Sequence, residues 1–360
     1  MKLLALDQFS DLGGAQQCLL DLLPALCARG WDVRLGLPGC GALVQRAREM
    51  GIETAPIRCG PFSAGAKSAA DMARFVAQTP ALAREISRLA KGSDLIYING
   101  PRLLPAAARA GLRAPVLFHS HSYVPPGAQR RLAAAALRRM HARVVASCEF
   151  VAEQWKKSAE RVSIVYNGVP GPATARESRT LLRAGCIGRI APEKGQREFV
   201  EAARLIRQIV PEARFFIYGA PLFSEGRYAE EVKAAAGSEV EFCGWVDDVY
   251  KALANLDCVL VPSAPHEATT RVVLEAFAAE VPVIAFRSGG IPEVIEHGRT
   301  GFLADGVEEM ARLAVEVLRG NGERVIEAAR ERWEQRFTIN RWREEMVHLM
   351  LQMTSSEPRR

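Results

Sequence analysis

The chain has 360 residues, of which 49% are hydrophobic and 24% are charged, and its formal net charge is +6 at pH 7. This length and apolar content predict a chain that is globular throughout and folds as two domains of ordinary size. The opening MKLLALDQF has only a four-residue apolar run before Asp7, which is too short for a signal peptide, and no later stretch approaches the roughly 18 apolar residues of a membrane span. We therefore expect a cytoplasmic protein.

The positive charge is concentrated in the first half of the chain. Residues 1–170 contain 22 lysines and arginines against 12 acidic residues, whereas the remainder contains 25 against 29. Such asymmetry is typical of proteins that bind nucleic acid or an anionic membrane. No nucleic-acid motif with interleaved aromatic residues is present, so the sequence favours an anionic surface at the inner face of the membrane over nucleic acid.

Eight cysteines are scattered along the chain, without a Cys-x-x-Cys pair or neighbouring histidines. Their spacing predicts buried free thiols in a reducing compartment, and neither a disulfide framework nor a metal site. An Asp-x-Asp metal motif is also missing from the sequence. We therefore expect neither a metal nor another cofactor.

The first predicted elements form a βαβ unit. A buried strand at residues 2–7 is followed by a turn at Gly13 and Gly14, a helix over 15–29 and a second strand at 31–38. The glycine pair lacks the three spaced glycines of a dinucleotide-binding turn. It is either part of a phosphate site or a turn that requires positive φ.

Two histidines follow a strand further along the first half. Helices are predicted near 71–76 and 80–91, and the strands DLIYIN and APVLFHSH come next. The second strand brings His119 and His121 to its carboxyl end. Such a histidine is either a hydrogen-bonded structural residue or a site residue. We favour His119 for the site because it is nearer the strand end.

Four arginines cluster on the next predicted helix, which is otherwise made of alanine and leucine. They are Arg130, Arg131, Arg138 and Arg139. This pattern suits an interfacial helix whose arginines extend to lipid phosphates, and it suits a solvated basic face equally well.

A stretch rich in glycine, proline, serine and threonine near Asn167 predicts a linker, after which a second series of strands and helices begins. Its first strand-to-helix turn is GRIAPEKG, and a helix is predicted over 196–209. The turn carries Arg189 and Lys194. A guanidinium and an ammonium at such a turn suit a diphosphate.

The segment from Pro262 to Glu293 is predicted to form an acidic loop, a helix, a buried strand and a glycine turn. Glu267 lies in the loop and Glu275 in the second turn of the helix, where their carboxylates suit sugar hydroxyls. Helix N-termini at the carboxyl edge of a parallel sheet bind phosphate. A diphosphate is therefore expected at the start of this helix, near Thr270 and Arg271.

The motif GRIAPEKG and the segment EATTRVVLEAFAAEVPVIAFRSGGIPEVI resemble the signature of the retaining glycosyltransferases of family 4, in the glycosyl transferases group 1. The family has two glutamates eight positions apart, a small-residue helix and a GG-x-PE turn. This chain departs from it at Ala268, Thr269 and Thr270, where the family usually has a proline or glycine, an aromatic residue and a glycine. The resemblance covers nearly the whole chain. It implies an α/β protein with the GT-B fold, in which two doubly wound Rossmann-like domains face a central crevice.

Several residue roles are implied by the resemblance. His119 and Glu267 would contact the donor sugar as catalytic residues, and Glu275 would contact the ribose. The implied diphosphate contacts are Gly13, Gly14, Arg189, Lys194, Thr270 and Arg271, and the implied base pocket contains Trp245 and Val246. The resemblance implies no metal.

The resemblance implies metal-independent transfer of a sugar from a nucleoside diphosphate sugar to a carbohydrate or lipid-linked acceptor hydroxyl, with retained configuration, in cell-surface polysaccharide or glycolipid synthesis. Two alternatives are a non-catalytic nucleotide-sugar-binding partner in a polysaccharide assembly complex and a GT-B-shaped sugar-nucleotide epimerase. The predicted acceptor domain is 1–168, the linker 169–181 and the donor domain 182–338. A helix at 339–354 would cross back to the first domain.

Overall fold

The computed structural model describes residues 1–60, 69–174, 182–222 and 226–355. The chain separates into two compact units. The first comprises Met1–Tyr166 with Trp342–Arg360, and the second comprises Asn167–Arg341. Of the predicted linker, residues 175–181 lie outside the described residues.

The first unit is built on a seven-stranded parallel sheet in the order β3-β2-β1-β4-β5-β6-β7. Its central strands are apolar and buried, as strands covered by helices on both faces must be. The strands are β1 Lys2–Asp7, β2 Asp32–Leu37, β3 Glu53–Pro56, β4 Leu95–Asn99, β5 Val116–Ser120, β6 Arg143–Ala146 and β7 Arg161–Ile164. The helices are α1 Gly14–Cys27, α2 Ala42–Glu49, α3 Ala69–Leu89, α4 Leu104–Arg109, α5 Ala128–Met140 and α6 Glu149–Glu153.

The second unit has a six-stranded parallel sheet in the order β10-β9-β8-β11-β12-β13. Its strands are β8 Arg183–Ile187, β9 Arg214–Tyr218, β10 Val240–Gly244, β11 Cys258–Val261, β12 Val283–Phe286 and β13 Phe302–Ala304. Its helices are α7 Gln196–Ile209, α8 Arg227–Ala236, α9 Val249–Leu253, α10 Arg271–Ala278, α11 Ile291–Val294, α12 Val307–Glu316 and α13 Glu323–Arg336. A 3₁₀ turn, Pro192–Lys194, precedes α7. The fold class predicted from the sequence is confirmed for each unit.

The last helix, α14, spans Ile339–Ser355, and from Trp342 onward it belongs to the first unit. Trp342, Met346 and Met350 lie on its buried face. Arg343 Nε donates to the carbonyl oxygen of Asp21 in α1 at 2.6 Å. The first unit therefore contains the beginning of the described chain and its last helix.

The helices predicted near 71–76 and 80–91 are one continuous helix, α3, with Pro80 inside it. Proline removes the hydrogen bond to the carbonyl four residues earlier, here that of Val76. Val76 is 64% exposed, so water can bind that carbonyl. The buried residues Leu82 and Ile86 beyond the proline keep the helix on the sheet.

The prediction that all cysteines are buried is wrong for part of the set. Cys27 and Cys40 are exposed and Cys243 is half-buried, because they lie at a helix end, in a turn and on the outer strand β10. The others are buried, and all eight are free thiols.

The described part of the chain contains no helix whose length and apolar character would let it cross a bilayer.

Candidate active site

The second sheet changes direction between β8 and β11. The chain runs from β8 outward to β10 and then returns to place β11 beside β8. In open parallel sheets, ligands bind at the carboxyl ends of the strands beside such a topological switch point. The loop after β8 carries Arg189 and Lys194, and the loop after β11 carries Glu267.

These two loops pack backbone against backbone. Gly195 has φ +70°, and a Cβ added to it would lie 2.0 Å from the carbonyl oxygen of Pro262. The N–H of Ala264 donates to the carbonyl of Glu193 at 3.2 Å. Glycine is therefore required where the basic turn meets the acidic loop, because any side chain would separate them.

An ion pair spans the switch point. Lys194 Nζ lies 2.6 Å from Glu267 Oε2, with the two side chains 23% and 14% exposed. Arg189 forms its own ion pair with Glu193 in the same turn. Two cations predicted to bind a diphosphate thus lie at the predicted edge of the sheet, and a carboxylate contacts each of them.

The glycine turn after β12 supports Glu267. The N–H of Gly290 donates to the carbonyl of Glu267 at 3.0 Å. Gly289 has φ +53°, and a Cβ there would lie 1.8 Å from the same carbonyl oxygen. The GG-x-PE turn is thus a backbone support that holds Glu267 beside Lys194.

Helix α10 begins beside this loop with Thr270 as its N-cap residue. The hydroxyl of Thr270 makes no capping hydrogen bond, although this residue occupies the cap position. Arg271 Nε lies 3.3 Å from Glu275 Oε1, and both side chains are 13% exposed.

The predicted base-pocket residues follow β10, two strands from β8. Trp245 is 45% exposed, and Val246 is half-buried. An indole presented in this way at the end of a strand is a suitable stacking surface for a planar ring. Their role in base binding stays a prediction.

The first unit has its own switch point, between β1 and β4, and a side-chain hydrogen bond crosses it. Asn99 Nδ2, at the end of β4, donates to Asp7 Oδ2, at the end of β1, at 2.5 Å. Gly13 and Gly14 follow β1 in the chain, and α1 begins at Gly14. The positive-φ interpretation of this pair is wrong, because Gly13 has φ −129° and neither glycine is in the left-handed region.

His119 lies within β5 and is almost completely buried. Its Nδ1 is 2.6 Å from the hydroxyl of Tyr97, and its ring lies against that of His121 with the centroids 3.7 Å apart. Burial lowers the pKa of His119 well below its usual value, and the neighbouring His121 lowers it further. His119 is therefore a neutral imidazole at physiological pH.

His119 and His121 belong to a hydrogen-bonded cluster of six side chains at the switch point of the first unit. Its other four residues were not predicted from the sequence: Asp7, Gln16, Tyr97 and Asn99. They are all buried and joined by hydrogen bonds. Asp7 and Asn99 end the apolar runs LLALD and IYIN. Polar residues that end buried parallel strands meet at the same edge of the sheet, and this signal could have identified both.

Asp7 gives a prediction about stability and pH. Burial raises its pKa to about 6, despite stabilising hydrogen bonds from Phe9, Asn99 and Gln16. The folded chain therefore holds this proton more tightly than the unfolded chain, and stability falls as pH rises from about 4 through 6. Compared with Asp7→Asn, the wild-type free energy of unfolding should fall by about 3 kcal/mol across that window.

Urea unfolding at several pH values, with amide exchange followed in peptides from β1 and β4, measures this difference for the first unit alone. The Asp7→Asn variant does not titrate at this position and serves as the baseline. A difference that grows in favour of the wild type as pH rises would contradict the prediction.

The described residues contain no group of three histidine, cysteine or acidic side chains placed to hold a metal ion.

Sequence models of known families match both units. The model described as Glycosyltransferase Family 4 matches residues 12–170, and the model described as Glycosyl transferases group 1 matches residues 182–320. Together they cover more than four fifths of the chain. The two units thus define a GT-B protein, and the chain belongs to the group 1 glycosyl transferases, in family 4.

The chain is also similar to two curated relatives and to one solved structure. The chain is 35% identical over 170 residues to a GDP-mannose-dependent alpha-(1-6)-phosphatidylinositol monomannoside mannosyltransferase of Mycobacterium tuberculosis, covering 41% of this chain and 43% of that protein. It is 25% identical over 232 residues to a lipopolysaccharide 1,2-N-acetylglucosaminetransferase of Salmonella typhimurium, covering 58% of each. The matches thus span about half the length of these relatives.

The solved structure is that of Anabaena HepE in complex with UDP-glucose. It has a TM-score of 0.84 and 24% identity, covering 98% of this chain and 100% of that one. At this identity, the similarity shows the fold.

Proposed function

We propose that the protein is a retaining glycosyltransferase that moves a sugar from a nucleoside diphosphate sugar to a hydroxyl of a carbohydrate or lipid-linked acceptor. The observation that carries this proposal is the Lys194–Glu267 ion pair at the switch point between β8 and β11. This ion pair places Lys194, which would bind phosphate, in contact with Glu267, which would bind the sugar. A nucleotide sugar carries both groups within a few bonds of each other.

The ion pairs also support donor binding. Arg189 and Lys194 each contact a carboxylate in the structure. A diphosphate offers the same kind of anionic oxygen in larger number and would replace those partners. Glu267, released from Lys194, would then accept hydrogen bonds from the hydroxyls of the donor sugar. Glu275 in α10 would do the same for the ribose.

The chemistry follows from this arrangement. The acceptor hydroxyl attacks the anomeric carbon while the bond from that carbon to the β-phosphate oxygen breaks, and the electron pair stays on the phosphate. Arg189, Lys194 and the first N–H groups of α10 stabilise that charge. The proton of the acceptor hydroxyl passes to the departing phosphate oxygen on the same face, which accounts for retention. Cations of the chain supply the charge stabilisation, so we propose that no metal is required.

Thermal-shift binding of UDP-, GDP- and dTDP-sugars, followed by transfer assays with the donor that binds, tests the proposal. We expect one nucleotide class to raise the melting temperature and to support transfer that survives EDTA. Nucleotide binding without transfer to any acceptor would favour a non-catalytic binding protein. Interconversion of two nucleotide sugars would favour an epimerase.

The relatives suggest the setting of the reaction. The mycobacterial relative is named for a phosphatidylinositol mannoside acceptor and the Salmonella relative for lipopolysaccharide. We therefore propose a role in glycolipid or cell-surface polysaccharide synthesis, at the cytoplasmic face of a membrane. The donor's base and sugar differ between the proteins compared. The thermal-shift comparison of UDP-, GDP- and dTDP-sugars will identify the donor of this protein.

Helix α5 would provide the membrane contact. Arg130 Nε donates to the carbonyl of Val124 at 2.6 Å, and Arg139 Nε donates to that of Ala108 at 3.0 Å. Arg131 and Arg138 are exposed, and Leu132 on the same helix is 46% exposed. An arginine near an anionic bilayer contributes about 1 kcal/mol, so replacing Arg131 and Arg138 by alanine should weaken vesicle binding roughly thirtyfold.

Co-sedimentation with anionic and neutral vesicles, at low and high salt, measures the effect. The matched control is Arg46→Ala with Arg84→Ala, which removes the same charge from exposed positions of the first unit. An equal loss in both double variants would show a general charge effect, and equal binding to neutral vesicles would remove the membrane proposal.

Thr270 is expected to contact the leaving phosphate. Its hydroxyl lies at the N-terminus of α10 and is not used for capping. Thr270→Gly should therefore lose the roughly 1.5–3 kcal/mol of a charge-assisted hydrogen bond in transfer, whereas Thr270→Ser should retain activity. Steady-state kinetics of the two variants measure this. A higher turnover in Thr270→Gly would instead show that the threonine crowds the donor.

A further inference from the structure

The hydrogen bonds of the cluster at the switch point of the first unit constrain where its protons lie. Asp7 accepts from the N–H of Phe9 at 2.8 Å and from Gln16 Nε2 at 2.9 and 3.0 Å. Above the raised pKa of about 6, Asp7 is an ionised carboxylate, which can only accept hydrogen bonds. The amide of Asn99 must therefore turn its Nδ2 toward Asp7, at 2.5 Å, and its Oδ1 away.

The position of Asn99 Oδ1 determines the next two bonds. His121 Nε2 lies 2.7 Å from this oxygen and must donate to it. The hydroxyl of Tyr97 lies 3.4 Å from the same oxygen but 2.6 Å from His119 Nδ1. Burial raises the pKa of Tyr97 well above its usual value, so the hydroxyl keeps its proton. We assign that proton to the shorter contact, so that Tyr97 donates to His119 Nδ1.

A neutral histidine has one ring proton. Because Nδ1 of His119 accepts a hydrogen bond, the proton must be on Nε2. This nitrogen is buried and has no hydrogen-bond partner among the described residues. A buried donor without a partner is costly, unless a ligand supplies the acceptor.

We propose that Tyr97 is a positioning residue that fixes His119 as the Nε2–H tautomer, so that His119 presents an N–H donor to an oxygen of a ligand of the first unit. That this ligand is a substrate of sugar transfer rests on the proposed function, whereas the tautomer does not. An Nε2–H imidazole can bind a hydroxyl or ring oxygen but cannot remove a proton from the acceptor. His119 therefore binds and orients the ligand in this scheme and is not a general base.

Long-range ¹H–¹⁵N correlation spectra of the full chain, labelled on histidine, report the tautomer directly. The chain has only six histidines, and single His→Gln variants assign them. His297 is an internal reference, because its Nδ1 accepts from the N–H of Leu303 at 3.0 Å and it must also carry its proton on Nε2. We expect His119 to give the same pattern as His297. An Nδ1–H pattern for His119 in the wild-type protein would overturn the proposal.

Tyr97→Phe removes the hydroxyl and keeps the ring. We expect His119 to become a mixture of tautomers while the His297 signals stay unchanged. With an identified donor, kcat should fall about two- to tenfold with nearly unchanged KM, because many molecules would present a lone pair in place of an N–H. Tyr228→Phe, which removes a half-buried hydroxyl from the second unit, should change neither measurement.

The outcomes separate the two proposals. A pure Nε2–H tautomer in Tyr97→Phe would show that Tyr97 does not set it and would overturn the assignment. The expected spectra from a protein with no transferase activity would refute the proposed function and leave the tautomer assignment standing.

Discussion

Replacing Arg189 or Lys194 by alanine should lower kcat/KM for donor by roughly 30- to 1,000-fold, which corresponds to about 2–4 kcal/mol of transition-state stabilisation. Each side chain would face charge that develops on the diphosphate as the glycosidic bond breaks. The loss should appear mainly in kcat, because the negative charge on the leaving oxygen is larger in the transition state than in the bound donor. Steady-state kinetics with the donor chosen by thermal shift measure it.

Arg207→Ala is the matched control. Arg207 lies on α7, the helix that follows the basic turn, and is exposed. Its removal changes the net charge of the second unit by the same amount, so a general electrostatic effect would appear in all three variants. Near wild-type turnover in both Arg189→Ala and Lys194→Ala would contradict the role of the basic turn.

Gly289→Ala should destabilise the second unit by roughly 2–5 kcal/mol. An alanine at φ +53° costs about 1–2 kcal/mol in the left-handed region, and a Cβ placed 1.8 Å from the carbonyl oxygen of Glu267 forces a backbone shift of similar or greater cost. Because the displaced backbone is that of Glu267, activity should fall about a hundredfold in the folded fraction, as expected for a catalytic group moved by about 1 Å.

Gly298→Ala separates the cost of the left-handed backbone conformation from the cost of the contact with Glu267. Gly298 has φ +76°, in the same region as Gly289, but a Cβ there would have no atom within 4 Å. This variant should cost only the roughly 1–2 kcal/mol of the left-handed conformation and should keep its activity. Thermal unfolding and kinetics of the two variants give the comparison. Equal losses in both would show that contact with Glu267 contributes nothing.

The basic turn and the two glutamates could be found from the sequence, because each motif is local. GRIAPEKG places Arg189 and Lys194 before a helix predicted over 196–209, and α7 has the same bounds, Gln196–Ile209. The strands could also be predicted from local sequence. Parallel strands that are buried on both faces appear as continuous apolar runs, without the alternating polar residues of strands in exposed sheets. The parallel α/β class followed from the alternation of these strands with helices.

The pairing of the charged groups could not be predicted in this way. Lys194 and Glu267 are 73 positions apart in the chain, and Asp7 and Asn99 are 92 apart. Their contacts depend on which strands become neighbours and on how closely glycine lets the loops approach. The sequence gives the chemical type of each group. Its partner is set by strand order, which the local patterns do not contain.

The division of the first unit between the two ends of the described chain has a consequence for synthesis. Trp342, Met346 and Met350 of α14 belong to the core of this unit, yet the ribosome makes them after the whole second unit. At roughly 5–20 residues per second, the nascent first unit waits about 10–40 s for its last helix after Tyr166 is added. During that time, the surface that α14 later covers is exposed, whereas the second unit is one continuous segment whose six strands are all made before α14. The nascent first unit is therefore the part of the protein that most needs chaperone protection.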